Sequence, residues 1–135
     1  MSVIADTSGL LALLDADHAR HAEVRDLLLG NAFIVPSSVL PEIDHLATRR
    51  LGAKVAQTFL DDLVNGHYDF FSVSFDHVRR AHRLMVQYAD ADIGYVDASI
   101  VAVAEQLKIR RILTLDRRHF TMFRPQGLDY LELLP

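Results

Sequence analysis

The sequence predicts an α/β fold, a three-layer sandwich with helices on both faces of a mostly parallel central sheet. Three observations predict it. The strand-length apolar runs Ser2–Ala5 and 32–35 are continuous rather than alternating, as in strands buried on both faces. Segments of helical periodicity separate these runs, so strands and helices take turns along the chain. The 135 residues, half of them apolar and 24% charged, suffice for one domain, 1–135, with its own core.

The elements follow in order. Ser2–Ala5 is a buried strand ending in Asp6-Thr7-Ser8, a capping sequence for the helix begun at 10–14. A second helix is expected over 17–29 and is broken by Gly30-Asn31. Residues 32–35 form the second strand, stopped by Pro36, and Ser37 or Ser38 caps a helix to Leu51 that tolerates Pro41 in its first turn. Gly52 separates this helix from the next, which reaches Val64, and Asn65-Gly66 is a turn. Residues 68–73 are the third strand and 74–88 a helix. A polar break over 89–94 precedes the helix Tyr95–Leu107, a fourth strand at 111–115 ends at Asp116, and 128–133 closes the sheet.

Charge and composition exclude several function classes. The net charge of −4 argues against a broadly basic surface that holds DNA by charge alone. The absence of cysteine excludes disulfide scaffolds, thiolate zinc sites, iron–sulfur clusters and a cysteine nucleophile. No apolar stretch approaches the ~20 residues of a membrane span. Asp6 follows Met1–Ala5 with no basic segment before it, unlike a secretory signal. The expectation is a cytoplasmic protein with no membrane partner.

The acids carry the functional signal. Right-handed crossovers bring the C-terminal ends of parallel strands to one edge, where open α/β sheets bind ligands. Asp6 and Asp116 follow the first and fourth strands and so share that edge. Thr114 lies two residues before Asp116 on the same face, and Ser8 two after Asp6. On the helix from Tyr95, Asp97 falls inside the apolar stripe of Val96, Ile100, Val103, Ala104 and Leu107, with Ser99, Glu105 and Gln106 on the other face. A carboxylate aimed at a core is costly unless paired or metal-bound. Glu42 lies at the border of its helix's stripe, and Asp92 in the polar break reaches toward the same edge. Singly, each acid also serves as a cap or a helix-dipole partner. Together, carboxylates ~5 Å apart repel by about 3 kcal/mol at an effective dielectric near 20, so the cluster calls for a cation. Oxygen donors suit Mg²⁺ or Mn²⁺, and such a site on an α/β sheet handles phosphate.

Four segments carry a resemblance: 3–11 (VIADTSGLL), 41–46 (PEIDHL), 96–104 (VDASIVAVA) and 112–120 (ILTLDRRHF). Together they resemble the signature blocks of PIN domains, a Rossmann-related fold, and most closely the VapC-type ribonuclease toxins of type II toxin–antitoxin pairs. The resemblance implies a Mg²⁺- or Mn²⁺-dependent endoribonuclease with Asp6, Glu42, Asp97 and Asp116 as its acidic quartet. It matches Ser8 and Thr114 to hydroxyl positions near the metal and Asp92 to a further acid. It implies a homodimer, an RNA substrate such as tRNA or rRNA, and a small antitoxin whose C-terminal segment blocks the site. His119 stands where an acid is frequent in the last block, a departure that affects only a peripheral contact.

Arg117 and Arg118 directly follow Asp116 and are candidates to grip RNA phosphate. Arg49-Arg50 and Arg79-Arg80 read as solvated helix faces, and Phe70, Phe71 and Phe75 as core. Two other classes remain open. A haloacid-dehalogenase-like phosphatase needs a second Asp where Ser8 stands, and a receiver-like domain needs a late-sheet lysine, whereas Lys54 and Lys108 fall on helical segments. A non-catalytic module of the same fold would have no need of the acids.

Overall fold

The computed structural model describes residues 1–135. Strand β1 (Ser2–Ala5) leads to α1 (Thr7–Leu14) and α2 (His21–Gly30), then to β2 (Ala32–Pro36). A 3-10 turn, Ser37–Val39, enters α3 (Leu40–Leu51), and α4 (Ala53–Val64) precedes β3 (Asp69–Phe71). Next come α5 (Phe75–Gln87), a 3-10 turn at Ala89–Ala91, α6 (Tyr95–Leu107), β4 (Arg111–Leu113), α7 (Arg117–Phe120) and β5 (Glu132–Leu134). The five strands form one sheet in the order β3-β2-β1-β4-β5. Every pairing is parallel, the closing strand included, so the sheet is wholly rather than mostly parallel.

This order explains the three layers. From β1 the chain steps to β2 and β3 in one direction, then returns past β1 to lay down β4 and β5 on the other side. Right-handed crossovers in opposite directions place α1–α4 on one face and α5 and α6 on the other. The order reverses between β1 and β4, so a crevice opens beyond their C-terminal ends. The core lies on both faces of the central strands: Val3, Ile4, Phe33, Val35, Ile112 and Leu113 are buried, as are Leu10, Ile43, Ile100 and Val103 from the covering helices.

Several local expectations are corrected. Helix α2 begins at His21 rather than Asp17, because the preceding residues are spent on turn bonds. The Asp17 amide donates to Asp15 Oδ1 and the Arg20 amide to His18 Nδ1, each at 3.0 Å. Strand β3 pairs only through Asp69–Phe71, at the sheet's edge. Phe70 is therefore exposed, at 54%, and not core; Phe75, beyond the strand, is exposed too, at 68%. Phe75 opens α5 with the Arg79 guanidinium 4.7 Å from its ring centre. Ser74 caps that helix reciprocally with His77. Strand β4 ends at Leu113, leaving Thr114 and Asp116 beyond it, and the short α7 was not anticipated. Arg80 is no solvated residue: it grips Glu105 through two bonds of 2.7 and 2.9 Å, with both side chains largely buried. Ser99, expected on the polar face of its helix, is fully buried and donates to Ser38 Oγ at 2.7 Å.

Candidate active site

Two strand ends make the floor of the site. The Asp6 amide donates to the Leu113 carbonyl at 2.9 Å, continuing the pairing of β1 with β4. Gly9 lets α1 descend onto β4, since a Cβ there would run into Leu113 Cγ and lie 3.0 Å from its carbonyl oxygen. Asp6, 4% exposed, is then fixed by three hydrogen bonds to its carboxylate. Its Oδ1 accepts from the Thr7 amide at 2.8 Å, and its Oδ2 accepts from Thr114 Oγ1 at 2.8 Å and Ser8 Oγ at 3.2 Å. The same hydroxyls tie down the β4 loop: Ser8 Oγ accepts from the Leu115 amide at 2.9 Å and Thr114 Oγ1 from the Asp116 amide at 3.0 Å. Ser8 and Thr114 thus fix two acids from opposite ends of the chain in one frame.

The walls come from three helices. Asp97 projects from the first turn of α6, and Asp116 stands at the start of α7 without making a side-chain capping bond. His119, one turn into α7, leans back over both, its Nδ1 3.3 Å from Asp97 Oδ2 and 3.8 Å from Asp116 Oδ2. Glu42 rises from the first turn of α3 on the exposed rim. These groups line a cavity of about 590 Å³ together with Ser8, Arg50 and Tyr95.

The electrostatics are those of a site with too much negative charge. Burial pushes the Asp97 carboxyl up to about 6, the charges of Asp6 and Asp116 add to the rise, and His119 opposes it. Asp6 is also raised, again chiefly by burial, against its three hydrogen bonds and with a further push from Glu42. Acids arranged this way favour a bound cation. Asp97, Asp116 and His119 each offer a ligand atom, all within 4.8 Å of one another, so the donor set suits one divalent ion.

Of the sequence-predicted residues, the structure brings Asp6, Ser8, Glu42, Asp97 and Asp116 to the cavity wall, with Thr114 buried beneath them. Asp92 is not on that wall: it is exposed, in a left-handed conformation (φ 56°) after the 3-10 turn. Arg117 turns away, its guanidinium on the carbonyls of Leu133 and Pro135. Arg118 is an exposed side chain reaching only His119 Nε2, at 3.4 Å. The cation that does line the cavity is Arg50, taken from sequence as a solvated face. His119 was likewise undervalued. Its spacing of three from Asp116 puts the two on one face once α7 forms, but a four-residue helix leaves too little periodicity to read.

The PIN domain family profile matches residues 3–123. The chain is 35% identical over 135 residues to the Mycobacterium tuberculosis protein named Ribonuclease VapC26, with 98% of this chain and 100% of that protein covered. Its fold is shared by M. tuberculosis VapC20, described as a Sarcin-Ricin loop cleaving toxin, at a TM-score of 0.83 and 23% identity over 98% of this chain and 99% of that one. It is shared too by VapBC2 from Rickettsia felis, solved with a DNA fragment from its promoter, at a TM-score of 0.72 and 17% identity over the full length of both chains. With the family matched over most of its length and a relative aligned end to end, this chain belongs to the PIN domain family as a VapC-type member.

Proposed function

We propose that this chain is the toxin of a type II toxin–antitoxin pair, an endoribonuclease that hydrolyses RNA phosphodiester bonds with Mg²⁺ or Mn²⁺ held by Asp6, Glu42, Asp97 and Asp116. One observation carries the reading: at the crevice between β1 and β4, the carboxylates of Asp6, Glu42, Asp97 and Asp116, from four separate segments of the chain, line one cavity. A core that needed only stability would have no use for that charge. A divalent ion held by these carboxylates would supply charge neutralisation of the cup, a contact for phosphate and a lowered pKa for an attacking water.

The chain's own residues do the rest. Ser8 and Thr114 keep the Asp6 carboxylate in one orientation, so its outward lone pairs need no rearrangement. Arg50 sets a cation on the wall where an RNA phosphate enters, and Tyr95, 39% exposed at the rim, offers a face on which a base can stack. Arg117 and Arg118 are left to outer phosphate contacts. Asp92, away from the wall, shapes the approach to α6 rather than holding the ion. The haloacid-dehalogenase-like reading is weaker, since Ser8 spends its hydroxyl on Asp6 and the Leu115 amide.

The named relatives support the partners. VapC26 is called a ribonuclease, and a Klebsiella pneumoniae structure of the same fold is described as a toxin–antitoxin complex. A cognate antitoxin segment that fills the acidic cavity, and a homodimer of this chain, complete the proposal. No helix is long and apolar enough to cross a membrane. The test is cleavage of total tRNA and of ribosomal RNA by purified protein in Mg²⁺, in Mn²⁺ and in chelator, with Asp97→Asn as the control. Cleavage that needs the ion and disappears in the variant is expected, and equal cleavage by both proteins overturns the assignment.

A further inference from the structure

Resting on the metal-dependent reading above, we propose that His119 is itself a metal ligand, so that the site holds one nitrogen donor among its carboxylates and prefers Mn²⁺ to Mg²⁺. The geometry points to this. The imidazole Nδ1 sits between two carboxylate oxygens, 3.3 Å from Asp97 and 3.8 Å from Asp116. The contact with Asp97 is a long hydrogen bond, past the about 2.7–2.9 Å of charge-assisted N–H···O bonds, and Asp116 lies beyond hydrogen-bond reach. Adjacent donors about 2.0–2.2 Å from one six-coordinate cation lie roughly 3 Å apart, so both separations need only close by less than about 1 Å to take up an ion. The side chain is only 14% exposed and cannot readily swing out of the cup. Arg118 Nη2 donates to Nε2 in an exposed contact at 3.4 Å, and this contact opens when the ring proton moves to Nε2 and frees Nδ1 for an ion.

The chemical consequence concerns which ion is held. Mg²⁺ takes oxygen ligands almost exclusively and gives up water reluctantly, whereas imidazole suits the transition metals. Exchanging an oxygen donor for this nitrogen lowers the charge crowded around the ion and tilts the cup toward Mn²⁺. His119→Asp is expected to tilt it back.

The experiment needs no RNA. Mn²⁺ bound to the full chain is examined by electron spin-echo modulation for a directly coordinated nitrogen, and Mn²⁺ and Mg²⁺ affinities are measured by calorimetry. Wild type, His119→Asp and His119→Gln are compared. The expected result is nitrogen modulation in wild type alone and a Mn²⁺-to-Mg²⁺ affinity ratio that falls about tenfold or more in His119→Asp. Should His119→Asp fail to fold, His119→Gln carries the comparison, since it keeps a side chain of similar reach without an imidazole nitrogen. Mn²⁺ bound without nitrogen modulation, or with modulation that survives both substitutions, overturns the ligand role and leaves the nuclease reading standing. Failure of either ion to bind wild type overturns the metal-dependent reading itself.

Discussion

Helix α6 carries two acids in opposite circumstances. Near its start, Asp97 faces Asp6 and Asp116 and is driven toward its neutral form. Two turns on, Glu105 receives both arms of Arg80, and the Gln126 amide at 2.6 Å as well. Both acids are largely buried, on the same helix, in the same small domain. One is matched in charge and fastens α5 to α6. The other is mismatched and lines a cavity. Burial of an acid is therefore not what marks a site; the sign of its neighbours is.

The largest effect is expected where the mismatch lies. Asp97→Asn removes a charge from the cup and should lower RNA cleavage by about a hundredfold or more, measured as initial rate in saturating Mn²⁺. The same variant should melt at a higher temperature than wild type in chelator, because it relieves repulsion. A loss of stability with cleavage retained would reverse the comparison.

Arg80→Ala is the mirror experiment. It strands the Glu105 carboxylate in a mostly buried position and should cost about 3 kcal/mol in urea unfolding. Cleavage by the folded fraction should stay near wild type, since Arg80 and Glu105 are remote from the cavity wall.

Acidity sharpens the contrast. Asp97 titrates near 3.8 in the unfolded chain and at about 6 in the folded one. Between those values the folded state keeps a proton that the unfolded state has released, so this group's contribution to stability falls as pH rises through that window and is level above it. In chelator, the stability advantage of Asp97→Asn over wild type should therefore grow by about 2 kcal/mol from pH 4 to pH 6 and then stop growing. An advantage independent of pH would mean that its ionisation is not what strains the cup. The smallest effect is expected of Ser99→Ala, which unties α6 from Ser38 at the entrance to α3. It should cost about 1 kcal/mol of stability by the same urea measurement.

The sequence was most legible where one rule acted alone. The continuous apolar runs at β1 and β2 admit little besides buried parallel strands, and Asp97 is visible as an acid in an apolar stripe. It was least legible where tertiary context chose between equals. Arg80 and Arg50 look alike as helix-surface arginines, yet one meets Glu105 and the other an open cavity. Phe70 reads as core until β3 proves to be an edge strand. The place of Arg117 beside Asp116 points it at the pocket, but the carbonyls of Leu133 and Pro135 claim it. His119 depends on a single turn of helix too short to announce itself.

The strand order has a consequence for biosynthesis. Strand β1 is made before the other four strands but sits between β2 and β4, and β4 is made late. Until residues 111–116 are translated, β1 keeps one open flank and Asp6 lacks its bond from Thr114. A nascent chain therefore has no finished cup for most of its synthesis, and one terminated before Asp116 never acquires it.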